Sequence, residues 1–159
     1  GSEMCIRDSS MAKRYDVKGK TYFKYPNKYY YTDIGLRNAR LNYRQYDPGH
    51  IMENIVYNEL LRRGYSVDVG VVTDRTGGAN TQKGIDFVVN DADKKIYIQS
   101  AFQMDADKKE SSELASLILT KDFFKKIIVR MDIPHNFYDD NGIFHCNLID
   151  LLLGRVELF

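Results

Sequence analysis

Residues 84–102 constrain this chain more than any other stretch. Ile85-Asp86-Phe87-Val88-Val89 and Lys95-Ile96-Tyr97-Ile98-Gln99 are short β-branched and aromatic runs, and Asn90-Asp91-Ala92-Asp93-Lys94 between them is turn chemistry, so the stretch predicts a β-hairpin. Two polar side chains, Asp86 and Gln99, are thereby set inside otherwise apolar strands. A carboxylate taken out of water is costly unless something pairs with it, so Asp86 requires a donor, a cation or a metal.

The flanking segments place this hairpin in an α/β domain. His50 to Arg63 carries Ile51, Met52, Ile55, Val56, Leu60 and Leu61 at helical spacing and stops at Gly64. Glu53 falls near the first turn of that helix, after a break at Tyr46-Asp47-Pro48-Gly49, where the helix dipole alone would accommodate an acid. Tyr65 to Val72 reads as a strand and Thr73 to Lys83 as a Gly-, Asn- and Thr-rich loop. Beyond the hairpin, Glu110 to Thr120 predicts a helix with Leu114, Leu117 and Ile118 on one face. Ser111-Ser112 supplies helix-start chemistry for it rather than a nucleophile. Lys125 to Asp132 and Gly142 to Cys146 follow as strands, and Asn147 caps a last helix through Leu153. A meander of early strands followed by a helical crossover implies a central mixed β-sheet flanked by helices.

The N-terminal third is different in kind. Residues 1–10 show no periodicity and are expected to be a non-native tail, which leaves Cys146 as the one native cysteine. Residues 11–48 form a basic, Tyr-rich arm or linker region, and 49–159 the α/β domain. Between residues 11 and 50 there are nine Lys and Arg against three Asp, within a chain whose net charge is only +1. Eight of the twelve tyrosines lie there too, so cations interleave with aromatics as they do where single-stranded nucleic acid is bound. Lys18, Lys20, Lys24, Lys28, Arg37 and Arg40 are the candidate contacts. The alternative is that the tyrosines cover the core and the lysines are its solvated face. Locally, Arg14 to Tyr22 predicts a hairpin around Lys18-Gly19, Lys28 to Tyr31 a short strand, and Ile34 to Leu41 a helix capped by Thr32 or Asp33.

Several function classes are excluded or disfavoured. No apolar run approaches the roughly 20 residues of a membrane helix. Without a secretory signal or a second native cysteine, a reducing cytoplasm is expected. Gly77-Gly78 lacks the following Gly-Lys-Ser/Thr of a phosphate loop, so no ATP site is expected in this chain. His50, His135 and His145 lack zinc-site spacing.

The segments 29–38 (Tyr-Tyr-Tyr-Thr-Asp-Ile-Gly-Leu-Arg-Asn), 53–65 (beginning Glu-Asn-Ile-Val-Tyr-Asn-Glu-Leu-Leu), 85–88 (Ile-Asp-Phe-Val) and 97–101 (Tyr-Ile-Gln-Ser-Ala), in this order, carry a family resemblance. From residue 13 to 159 the chain resembles the C-terminal domain of unknown function found on many prokaryotic AAA-type ATPases. That domain is regarded as a PD-(D/E)XK nuclease relative with the restriction-endonuclease-like fold. The resemblance implies that Glu53, Asp86 and Gln99 converge at one end of the sheet as a metal and catalytic set for Mg²⁺ or Mn²⁺. It implies an ATPase domain, absent from this chain, as a partner, and DNA as a ligand.

In the nuclease pattern the third element is Glu-x-Lys, and here it is Gln99-Ser100-Ala101. Lys83, Lys94 and Lys95 are the neighbouring lysines that could replace the missing one. The expected function is therefore a nuclease-like accessory domain of an ATP-binding protein, catalytically degenerate and acting in nucleic-acid or partner binding. An active divalent-metal-dependent DNA endonuclease and a protein-docking regulatory module are the alternatives. Each site residue also has a plain structural role open to it: an arginine partner for Asp86, backbone groups for Gln99, dipole compensation for Glu53.

Overall fold

The computed structural model describes residues 8–24, 26–44, 46–75, 80–104 and 109–159, with the backbone alone at 109–112. The chain runs β1 (Ser9–Ala12), β2 (Arg14–Asp16), β3 (Thr21–Tyr22), β4 (Lys28–Tyr31), α1 (Ile34–Arg40), α2 (Pro48–Arg62), β5 (Ser66–Asp74), β6 (Thr81–Asp91) and β7 (Lys94–Ala101). It continues through α3 (Lys109–Ile118), β8 (Lys125–Arg130), β9 (Phe137–Tyr138), β10 (Phe144–Asn147) and α4 (Leu148–Leu152).

Eight strands form one mixed sheet in the order β3-β2-β5-β6-β7-β8-β10-β9, and β1 and β4 form a small antiparallel pair beside it. The meander β5-β6-β7 is antiparallel, whereas β8 lies parallel to β7 across the α3 crossover, as the strand and helix order requires. Side chains alternate across this sheet. Ile96, Ile98, Ile127 and Val129 pack on one face with Val56 and Leu60 of α2 and Leu151 of α4. Tyr97, Ile128 and Val88 pack on the other with Leu117 of α3. The strands are apolar on both faces because both are covered.

Several boundaries differ from those read in the sequence. Residues 8–10, set outside the fold as a tail, belong to it: Ser9 and Ser10 pair with Tyr31 and Tyr30, and the Asp8 carbonyl accepts from the Thr32 amide at 2.9 Å. The basic stretch is no separate arm, because β2 joins the main sheet parallel to β5 with Tyr15 opposite Gly70. The break at Asp47-Pro48-Gly49 is the start of α2: the Asp47 carboxylate accepts from the Gly49 amide at 2.9 Å, and Pro48 takes the first helical position, where its missing N–H has no consequence. Glu53 is then the sixth helical residue, beyond the first turn, so the dipole argument for it fails. On α3, Leu117 is buried but Ile118 is 47% exposed. Gly77-Gly78 and the side chains of Ser111-Ser112 lie outside the described residues.

The irregularity that positions the site lies on β6. Asp68 pairs with Val88 and Gly70 with Ile85, so two steps along β5 are answered by three along β6. The extra residue is a bulge around Asp86, a device that bends a strand and redirects a side chain. Gly70 faces it at close range: a Cβ there would stand 2.9 Å from Ile85 Cβ and 2.9 Å from Val88 Cγ2. Gly70→Ala is therefore expected to destabilise the fold by about 1–3 kcal/mol, as overpacking does. Urea unfolding would measure it; an unchanged midpoint would show that the strands separate there without strain.

Candidate functional site

The β6–β7 ladder runs from Asp91↔Lys94 to Phe87↔Ile98. Just beyond it, two side chains take over the work of backbone groups. The Asp86 amide donates to Gln99 Oε1 at 2.6 Å, and the Ser100 amide donates to Asp86 Oδ2 at 2.8 Å. Gln99 Nε2 donates to Glu113 Oε2 at 2.7 Å, to Ser116 Oγ at 2.9 Å and to the Gly84 carbonyl at 3.3 Å. Gln99 thereby ties β6, β7 and α3 together and is 3% exposed. Its backbone-satisfying role is the one observed.

An open cavity of about 510 Å³ lies against this junction. Glu53 and Asp86 line it together with Glu113, His50, Ala101 and Phe102. The structure thus brings Glu53 and Asp86 to one cavity, and it places Gln99 behind the wall. No arginine bonds to Asp86 among the described residues; Glu53 instead holds a lysine. Its Oε1 accepts from the Lys28 ammonium and from the Tyr30 hydroxyl, the latter at 2.6 Å. Lys28 Nζ also stands 5.5 Å from the Tyr30 ring centroid.

Sequence reasoning missed Glu113 as a site residue and named Lys28 only as a nucleic-acid contact, although each carries a signal of its place here. Lys28 and Tyr30 are two apart on a strand and so share a face, and Tyr30 is the buried tyrosine that stacks on Tyr57 at 4.1 Å. Glu113 and Leu117 are four apart on a helix, so burying Leu117 brings Glu113 inward as well.

Lys28 reaches its position because α2 holds β4. Asn54 accepts from the Tyr31 amide at 3.0 Å and donates to the Tyr31 carbonyl at 2.7 Å, and Asn58 donates to the same carbonyl at 3.0 Å. The lysines considered as replacements stand elsewhere. Lys94 and Lys95 begin β7 while Ala101 ends it, a separation of about 20 Å at some 3.3 Å per residue. Lys95 lies over the rings of Tyr15 and Phe124. Lys83 is opposite Val72 and does not line the cavity.

The cationic residues proposed for nucleic acid do not act as one set. Lys28 pairs with Glu53 and Arg40 with Asp8. Arg37 donates to Asn38 Oδ1 at 3.1 Å, and Lys18 Nζ to the Thr73 carbonyl at 3.1 Å. Lys20 and Lys24 are exposed, as are Tyr22, Tyr29, Tyr43 and Tyr46, whereas Tyr30 belongs to the core. His135 is exposed, and His145 is buried between Arg130 and Asp139.

For a divalent ion the expected set does not fit as arranged. Gln99 is turned into the wall with its amide engaged on both sides, and one oxygen of Glu53 already carries an ammonium and a hydroxyl. Among the described residues no group of three or more His, Cys, Asp or Glu side chains is disposed to hold a metal.

Comparison with known proteins adds one relative. An uncharacterized protein of Haemophilus influenzae is 40% identical over 118 residues, which is 74% of this chain. The chain spans 27% of that protein, about a quarter of its length. No family model and no solved structure matches. Among the described residues, no helix is long and apolar enough to cross a membrane.

Burial pushes the Asp86 carboxyl up to about 7, reinforced by the Glu53 charge and more weakly by Glu113, while the Ser100 amide and Lys28 oppose the rise. In the unfolded chain the same group titrates near about 3.9. Between these values the folded state keeps a proton that the unfolded state has released, so this contribution to stability is complete below the lower value and is lost as pH rises through about 7. Asp86→Asn keeps an acceptor for the Ser100 amide and removes the titration. The variant is expected to gain stability relative to wild type as pH rises from 4 to 8, measured by urea unfolding at each pH; parallel profiles would contradict the assignment.

Proposed function

We propose that this chain is a nuclease-like accessory domain of the restriction-endonuclease-like, PD-(D/E)XK class, carried by an ATP-binding AAA-type protein and working by binding rather than by cleavage. The observation that carries this reading is the state of the expected catalytic set. Glu53 and Asp86 meet in one cavity, as the class requires, but Gln99 is a strand tie and the cation at the acids is Lys28. Hydrolysis of a phosphodiester in this class needs a metal to activate water and to stabilise the charge that develops at phosphorus. Ala101 supplies no charge for that, and Glu53 and Glu113 would repel a phosphate brought in without a cation.

The fold is consistent with the class, since a helix, an antiparallel three-strand meander and a parallel crossover follow in the expected order. The relative of greater length fits a domain that works within a larger protein. Binding to single-stranded nucleic acid is the activity we assign. The exposed Lys20, Lys24, Tyr22 and Tyr29, on or beside β3 and β4, offer cations and ring faces of the kind that bind phosphates and stack bases.

The test has two arms. Supercoiled plasmid and single-stranded DNA incubated with Mg²⁺ or Mn²⁺ are expected to stay uncut, as with Asp86→Ala; metal-dependent cutting abolished in that variant would establish an active endonuclease instead. Affinity for single-stranded DNA is expected to fall steeply with salt, and Lys20→Ala or Lys24→Ala each to reduce the log–log salt slope by about 1. Absence of salt-dependent binding would move the function to protein docking.

A further inference from the structure

The ammonium beside Glu53 comes from β4 and not from the third element that carries the lysine in the nuclease pattern. Lys28 is 25 residues before Glu53 in the chain, and its contact with Glu53 is made across two elements, β4 and α2, that Asn54 and Asn58 lock together. The Glu53 side chain is 10% exposed, so its charge is largely withdrawn from water and requires a close partner. The Tyr30 hydroxyl donates to the same oxygen, and the Tyr30 ring lies under the Lys28 ammonium. An ammonium beside a carboxylate and a ring face is favoured by both. Asp86 shares the cavity and feels the Lys28 charge.

We propose that Lys28 is the resident cation of this site: its ammonium holds the counter-ion position at Glu53 beside Asp86, and a divalent ion can enter only by displacing it. The inference rests on the accessory-domain reading and explains how that domain keeps an acid-lined cavity without a metal. The Lys28 side chain is 43% exposed, so displacement from Glu53 needs a local swing of one side chain and no refolding of β4.

Mn²⁺ uptake by the full chain, followed by electron paramagnetic resonance and by thermal unfolding, tests this without DNA. Wild type and the charge-conserving Lys28→Arg are expected to take up no Mn²⁺ at millimolar concentration and to show no metal-dependent change in Tm. Lys28→Gln is expected to lose stability, to bind Mn²⁺ at least tenfold more tightly than wild type, and to recover Tm when it does. Adding Glu53→Gln to Lys28→Gln is expected to abolish that uptake. Uptake by wild type equal to that of Lys28→Gln overturns the proposal, as does a folded Lys28→Gln that gains none. The wild-type arm decides even if Lys28→Gln does not fold, because tight Mn²⁺ binding beside an intact Lys28 is incompatible with it. Mn²⁺ uptake by wild type without DNA cutting overturns the role of Lys28 alone, whereas cutting overturns the accessory reading.

Discussion

The exchange of Asp86 with the Gln99 side chain and the Ser100 amide is the interaction on which the site depends. The β6–β7 ladder stops at Phe87↔Ile98, and unpaired amides just beyond it would stand against the core. Gln99 Oε1 and Asp86 Oδ2 accept those amides, so the strands separate by a side chain's width without leaving buried donors orphaned. The bulge on β6 and the bare Cα of Gly70 provide the room. The cavity opens where the two strands diverge. The Asp86–Gln99 pair thus closes the sheet, with Asp86 lining the cavity and Gln99 behind its wall.

Glu53, Asp86 and Glu113 all line this cavity, each bonded to a different group. Glu53 holds Lys28 and Tyr30, Glu113 receives the Gln99 amide, and Asp86 takes the Ser100 amide. Burial, reinforced by the Glu53 charge, drives the Asp86 carboxyl toward its neutral form. The cation comes from β4, a strand outside the main sheet, and it is in place only because α2 grips that strand through Asn54 and Asn58. The N-terminal segment is therefore part of the site. Its basic character includes one lysine that serves the acids rather than the surface.

Much of the architecture was legible because it is local. The hairpin around 90–94, the helix before Gly64, the Asn147 cap and the Asp33 cap each follow from residues a few positions apart, and all are present. Asp86 and Gln99 were identifiable as polar intrusions in apolar strands. Contacts between distant segments were harder to read. Lys28 reaches Glu53 and Gln99 reaches Glu113 through the packing of whole elements, and periodicity within one element indicates a face but not a partner. Residues 8–10 illustrate the same limit, since Ser9 and Ser10 have no strand pattern of their own and are extended because Tyr31 and Tyr30 pair with them. Pro48 was misread for a different reason: the residues that interrupt one element also start the next.

Asp86 and Gln99 tie strands β6 and β7 together, and we propose that they do so without a divalent ion. Amide hydrogen exchange at Asp86 and Ser100, followed residue by residue with and without Mg²⁺, tests it most directly. The account requires both amides to be protected to the level of Phe87 and Ile98 and to be indifferent to Mg²⁺. Rapid exchange at either amide, or protection that appears only with Mg²⁺, would contradict it.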